Sequence, residues 1–570
     1  MQIEHVVVLM LENNSFDRML GSIPGVDGVD PANLRSNPDR NGVAVTQTTT
    51  TMQRMRCDPS DQSSKGVDPE HDLPDVLEQM QGPNLGFVKN FQRNYSQCTP
   101  DSWAEVMKYY GLGSLPVLHQ LAQSFVVCDK WFSSLPGPTW PNRFFVHSGT
   151  SLGHVDMPEG IFHPALHLYN QETVYDRLDD AGRSWAVYYG DVPQVLTMTH
   201  ILLHPGKLQK LHKMDQFFTD VQGPEADFPQ YSFIEPAYFG DEQNDQHPPS
   251  DVLRGEVLLA QVYNAIRNNE PLWEKTLMVV LYDEHGGFYD HVVPTASVPP
   301  DGNVQDFSFA QYGIRVPAVL ISPWLEKQVI SDTFDHTSLL RFVSDMWGLG
   351  PLGARTAVAK SFAASWKVTG APRTDVPANI PEPTALPNLE GQPLNPNQLA
   401  LVGFSRFLET KTVALAAEQG PAAAQAMTLQ VGQRLLWSTE NDTHGEVAVQ
   451  RVDAFLQSAL RTPPAPGARG GAKRAGAAKK KASAKTAGKA VAKKAPGAKK
   501  TSSAEVKAAK SKKAAAAKTH AKKGAAKKTG ASPLVKAAAK AIAKKGAKVL
   551  AAKAVAAGLK KAAKKSSRRR

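Results

Sequence analysis

The chain has 570 residues and a formal net charge of +11, but the charge is divided: Pro466–Arg570 carries 34 lysines and arginines against one acid, Glu505, leaving 31 basic and 53 acidic side chains before it. No run of eighteen or more apolar residues occurs, so no segment reads as a bilayer-spanning helix. Cys57, Cys98 and Cys128 are too few and too scattered for a disulfide framework or a thiolate metal centre. Reduced thiols are expected, with a Cys57–Cys98 bridge as the alternative. The first residues lack a basic, then apolar, leader pattern, so the chain reads as cytoplasmic, as exported without a recognisable signal peptide, or as trimmed.

In chain order, the first element is the apolar run Ile3–Leu11, a strand buried on both faces. Residues 22–100, rich in Asp, Asn, Thr and Pro, read as a long irregular excursion near the active-site face. Ser114–Ala122, with leucines at spacing three, predicts a helix, and Phe125–Cys128 and Trp185–Tyr189 predict strands. Asp251–Asn268 predicts a longer helix, Leu277–Tyr282 and Val316–Ile321 further strands, and Thr337–Trp347 a helix capped by Asp335. Strands alternating with helices indicate an open α/β fold with a mainly parallel sheet flanked by helices.

The expected organisation is a catalytic domain over 1–372, a Pro-rich linker or strap over 373–396, a helical segment over 397–460 and a Lys/Ala-rich tail over 461–570. Repeats of AKK, AAKK and GAKK without aromatics cannot bury enough apolar surface to offset the entropy of ordering, so the tail is expected to be disordered. Val535, Ile542 and Val549 recur every seventh residue and form a weak apolar stripe on it.

Two acid-bearing clusters each follow a predicted strand: Glu12-Asn13-Asn14-Ser15-Phe16-Asp17 and Asp283-Glu284-His285-Gly286-Gly287-Phe288-Tyr289-Asp290-His291. Ligands of open α/β sheets bind beyond the carboxyl ends of strands, and carboxylates gathered there call for a cation. Gly286-Gly287 would permit close backbone approach. Leu135-Pro136-Gly137-Pro138-Thr139-Trp140-Pro141-Asn142-Arg143 reads as a rigid turn presenting the Thr139 hydroxyl ahead of Arg143, which can hold a pair of phosphoryl oxygens. His71, His247 and His336 are each candidates to ligate metal, stabilise negative charge or protonate a leaving oxygen. His247 stands out for its polar, turn-rich surroundings.

The text at 5–21, 134–151, 233–251, 281–294 and 312–324 resembles, in order, the bacterial phosphoesterases that include phospholipases C and acid phosphatases. The resemblance spans roughly residues 1 to 350. It implies an alkaline-phosphatase-like core, with Glu12, Asn13, Asp283 and Glu284 as ligands of a divalent cation, zinc or calcium. Thr139 would be the nucleophile at that cation, giving a phosphothreonine intermediate, and His247 an active-site histidine that protonates the leaving oxygen. His71 matches less closely, His285 carries little weight, and Arg143 as a phosphoryl clamp is inferred from chemistry. The substrate would be a phosphate ester or phospholipid, with Trp103, Tyr109, Tyr110, Trp131 and Trp140 the aromatics available to a quaternary ammonium head group.

The Thr139–Arg143 turn also resembles that of sulfatases, whose leading residue becomes an aldehyde, which Thr cannot do. The tail resembles those of linker histones, so a nucleic-acid-binding protein is the alternative from a different class. The tail could equally bind anionic membrane surfaces or the acidic body itself.

Overall fold

In a computed structural model of the chain, residues 3–158, 169–304, 307–388, 392–418 and 445–461 are described. Expectations for the tail, including its disorder and its partners, lie outside these residues.

Eight strands form the central sheet: β1 (His5–Leu11), β2 (Val126–Cys128), β3 (Trp185–Tyr189), β4 (Leu211–Lys213), β5 (Tyr231–Glu235), β6 (Thr276–Tyr282), β7 (Ala318–Ile321) and β8 (Gln328–Ile330). Their order is β8-β2-β7-β6-β1-β5-β3-β4. The sheet is mainly parallel, as expected, and β7 alone runs against it, pairing antiparallel with both β6 and β2. Val6 to Leu11 and Leu277 to Tyr282 are almost fully buried, because helices cover both faces of the central strands.

Seven helices matter to the site: α1 (Phe16–Leu20), α2 (Pro116–Ser124), α3 (Thr139–Ser148), α4 (Val252–Asn268), α5 (His336–Trp347), α6 (Pro396–Glu418) and α7 (Glu446–Arg461). α2 starts two residues later than the leucine spacing suggests, because Pro116 suits the first helical turn. Its free Val117 and Leu118 N–H groups donate to Glu256 of α4, at 2.7 and 3.1 Å. Asp251 caps α4 by accepting from the Leu253 N–H.

Residues 22–100 are less irregular than their composition suggests. Val76, Phe87, Val88 and Phe91 pack with Phe288, Tyr289 and Ile314 as a second apolar cluster. Cys57 and Cys98, 41 residues apart, are joined by a disulfide, which corrects the expectation of reduced thiols. Thr99 N–H donates to Cys57 O, bringing the two backbones alongside each other. The buried Cys128 remains a thiol.

The strap follows α4: Tyr263 Oη donates to Pro377 O, Asn264 bonds Ile380 in both directions, and Leu386 N–H donates to Asp251. Beyond it, Leu401, Phe404 and Leu408 of α6 and Val452 and Phe455 of α7 belong to the same apolar core as the sheet. The 397–460 segment therefore packs on the body through its described residues.

Candidate active site

β1 and β6 pair in parallel with Leu11 opposite Tyr282, and Asp283 N–H donates to Leu11 O. The next residues, Glu12 and Asp283, therefore leave the sheet side by side. Asn13 takes a left-handed backbone (φ 56°), which Asn tolerates better than most residues, and its N–H donates to Asp283 Oδ1 at 3.1 Å. Gly286 explains the glycine pair: a Cβ there would lie 2.1 Å from Asn13 O, so only glycine lets the two clusters meet.

The turn before Thr139 is tied by a residue whose part the sequence reading missed. Asn142 accepts from Leu135 N–H and donates to the carbonyls of Leu135, Gly137 and Pro138. Thr139 is the first residue of α3 rather than part of an extended turn, so Arg143 follows one helical turn later on the same side. Arg143 Nη2 lies 3.1 Å from Glu12 Oε1 and its Nε 3.4 Å from Asp283 Oδ2, so this guanidinium joins α3 to both strand ends. It is 2% exposed, and its Nη1 has no hydrogen-bond partner among the described residues.

His71 comes from the segment stapled by the disulfide. Its Nδ1 donates to Pro69 O, Nε2 lies 3.1 Å from Asn13 Nδ2, and Glu284 Oε1 is 4.0 Å away. The His247 ring stands edge-on to it, with centroids 5.6 Å apart, and His247 Nδ1 donates to Pro248 O. His247 Nε2 therefore presents a lone pair. Ligand atoms of Asp68, His71 and His247 lie within 4.8 Å of one another. Asp68 went unnoticed in the sequence, although an acid three residues before His71 was the available signal. Asp245 was named only as a neighbour of His247, yet its carboxylate accepts the His247 N–H and its carbonyl accepts the Glu12 N–H.

The remaining candidates are engaged elsewhere. His336 donates through Nε2 to Asp283 O and accepts from Trp131 Nε1, so it supports the strand end instead of facing a substrate. His285 contacts Gln79 and the Glu284 carboxylate. Asp17, Asp290 and His291, the outer ends of the two clusters, surround Arg315, which bonds Asp290 at 2.8 Å and Asp17 at 2.9 Å. These acids already have a cation, and they hold α1 against the loop after β6. Trp103 donates to Tyr95 O, and Trp131 packs at a tilt against Phe334 and Phe362. Trp140 Nε1 donates to Asn397 Oδ1.

The electrostatics are those of a site short of positive charge. Burial raises Glu12 well above the usual carboxylate range against the pull of Arg143, and raises Asp283 to about 6 and Asp245 to about 8. Burial would lower His71, but Glu284, Asp68 and Asp72 outweigh it and raise the imidazole to about 10. Burial, with His71 adding to it, lowers His247 to about 3. Glu284 would be raised by burial, but His71 and His285 leave it below its ordinary value.

Asn13 Oδ1, Glu284 Oε1, Asp68 Oδ1, His247 Nε2 and Thr139 Oγ1 are all buried without a hydrogen-bond partner among the described residues. Unsatisfied acceptors are costly in an interior, and those on Asp68 and His247, in the cluster whose ligand atoms lie within 4.8 Å of one another, fit a bound cation. Four of the five atoms are oxygens and one is an imidazole nitrogen, a donor set suited to a hard or borderline divalent ion.

Adjacent strands thus deliver buried acids to the helix that carries Thr139 and Arg143, joined through the Arg143 guanidinium. The chain belongs to the Phosphoesterase family, whose sequence profile matches residues 3–350. It is similar to non-specific phospholipase C6 of Arabidopsis thaliana, 35% identical over 413 residues and covering 67% of this chain and 75% of that one. Phospholipase C B of Mycobacterium tuberculosis (strain ATCC 25618 / H37Rv) is 29% identical over 61% of this chain and 74% of that protein. Among solved structures, a protein in the alkaline phosphatase superfamily from Vibrio parahaemolyticus matches 60% of this chain and 75% of its own at 11% identity and a TM-score of 0.27. No helix among the described residues is long and apolar enough to cross a membrane.

Proposed function

We propose that the protein is a metal-dependent phosphoesterase that transfers the phosphoryl group of a phospholipid or simple phosphate ester to Thr139 and then to water. The observation carrying this reading is the set of partnerless buried atoms on Asn13, Thr139, His247 and Glu284, beside Glu12 and Asp283 and bridged by Arg143. Glu12, Asn13, Asp283 and Glu284 would hold the cation, which when bound would acidify the Thr139 hydroxyl and neutralise phosphoryl oxygens.

The chain's own residues supply the rest. Thr139 Oγ, giving up its hydroxyl proton to solvent, attacks phosphorus; the bond from phosphorus to the ester oxygen breaks on the opposite side and that oxygen takes up a proton; water then cleaves the phosphothreonine, restoring the hydroxyl and releasing the phosphate or phosphorylated head group. Arg143 keeps Glu12 and Asp283 in place and offers Nη1 to an equatorial phosphoryl oxygen. We read the two histidines from their hydrogen bonds. With Nδ1–H committed to Pro248 O and the ring held neutral, His247 has an acceptor at Nε2 and no proton for a leaving oxygen. His71 Nε2, facing the Asn13 amide nitrogen with Nδ1–H given to Pro69 O, is likewise an acceptor, so the leaving oxygen takes its proton from solvent. A cavity of about 160 Å³ is bordered by Asp68, Glu70, Tyr95, Pro249 and Leu394, and Asp68 Oδ1 lies 3.7 Å from His247 Nδ1.

Activity on an aryl phosphate and on an aryl phosphorylcholine, measured with metal content for the wild type and Thr139→Ala, tests this reading. Wild-type turnover of either substrate that is lost in Thr139→Ala and lost with chelator supports it. Turnover that survives both treatments contradicts it.

A further inference from the structure

We infer that Asn397, the second residue of α6, is a positioning residue for Glu12, so that the segment beyond the family's matched region completes the catalytic centre. The inference rests on the reading of Glu12 as a cation ligand. Asn397 Nδ2 lies 2.9 and 3.0 Å from the two Glu12 carboxylate oxygens, and its Oδ1 accepts from Trp140 Nε1 at 2.9 Å and from Gln194 Nε2 at 2.6 Å. The indole N–H can only donate, so the orientation of the Asn397 amide is settled: oxygen toward Trp140, nitrogen toward Glu12.

The consequence is geometric. Arg143 grips Glu12 Oε1 from α3, and Asn397 grips both oxygens from α6. Trp140, which holds the other end of the Asn397 amide, adjoins Thr139. One amide thus couples the carboxylate at the end of β1 to the start of the helix carrying the nucleophile.

The placement of Asn397 is itself built. Asn395 and Gln398 bond reciprocally, backbone N–H to side-chain oxygen in each direction, fixing the start of α6. Gln398 Nε2 donates to Tyr238 O, and the Tyr238 ring lies 5.7 Å from the Arg143 guanidinium. Upstream, Gln392 accepts from Gly66 N–H, and Pro393 to Pro396 line the cavity that borders Asp68. The strap and α6 therefore supply one wall of that cavity and one support of the Glu12 carboxylate. Groups that orient metal ligands typically contribute about 10- to 100-fold in metal affinity.

The test is equilibrium dialysis of the full chain, stripped of metal, against zinc and against calcium, for the wild type, Asn397→Leu and Leu408→Ala. Leu408 is buried in the same helix away from the site and reports on loosening of α6 alone. The inference predicts metal binding about 10- to 100-fold weaker in Asn397→Leu, with kcat on an aryl phosphate reduced and KM little changed. Leu408→Ala should lower Tm and keep wild-type metal affinity. Wild-type affinity in Asn397→Leu, or equal weakening in Leu408→Ala, would overturn it. If Asn397→Leu does not fold, Asn397→Ser, too short to reach Glu12, decides by the same criterion. A wild type that binds neither metal sinks the underlying reading of Glu12, whereas a wild type that binds while Asn397→Leu binds equally well sinks only the role of Asn397.

Discussion

Glu12 and Asp283 stand side by side because Leu11 is paired with Tyr282 in the parallel ladder of β1 and β6, and each acid is the first residue past its strand. Two residues 271 positions apart in sequence are brought together by register alone. Both strands are apolar and buried on both faces, so a one-residue slip would part the two acids without exposing an apolar face.

Arg143 is the only guanidinium among the described residues that bonds both carboxylates, and replacing it leaves their charge buried without that partner. Arg143→Met is expected to destabilise the metal-free protein by about 3–5 kcal/mol. Added zinc or calcium, by supplying the missing positive charge, should narrow the gap to wild type. Thermal unfolding with chelator and with metal checks this, and a gap that is the same in both conditions would count against a cation between these acids.

The Cys57–Cys98 disulfide closes the loop that carries Asp68 and His71. A loop of this length gains about 4 kcal/mol from cross-linking in the chain-entropy description. Cys57→Ser/Cys98→Ser should therefore lower stability by a comparable amount. It should also reduce kcat more than replacement of the buried Cys128 by Ala does, since only the first change frees His71. Steady-state kinetics of the two variants distinguish them. Reduction that leaves kcat untouched would show that the staple does not govern the site.

His291 gives a pH signature. Burial opposes its protonation, but Asp17 and Asp290 outweigh burial and Arg315 and raise it to about 9, above the ordinary 6.5. Because the folded value is the higher one, the stabilisation is fully present below pH 6.5 and is lost as pH rises through 9. The Tm difference between wild type and His291→Gln should be largest near pH 6 and shrink toward pH 9.5. A difference that grows with pH would contradict the ion-pair role assigned to this histidine.

Much of this was legible in the sequence, for identifiable reasons. The central strands were readable because burial on both faces leaves unbroken apolar runs such as Val6 to Leu11. The acids were readable because they directly follow those runs. Long-range partners were not readable. The antiparallel direction of β7 leaves no local mark, since a short apolar strand reads alike in either direction. The hydrogen-bond partners of His71 and His247 depend on which carbonyls and amides the fold brings to each ring. Asn397 lies 385 residues from Glu12 in a segment with no catalytic pattern, and its part depends on how the strap returns to the sheet. The cysteine pairing was readable only as an alternative, because spacing alone does not show that Thr99 bonds back to Cys57.

The most direct test of the central claim is to quench the enzyme during turnover of a phosphate ester and map covalent phosphate by mass spectrometry, in parallel with Thr139→Ala. The account predicts phosphothreonine at position 139 of the wild type, none in the variant, and a loss of kcat of at least about 10³-fold in the variant. Phosphate found on another residue, or a Thr139→Ala enzyme that keeps wild-type turnover, would contradict it.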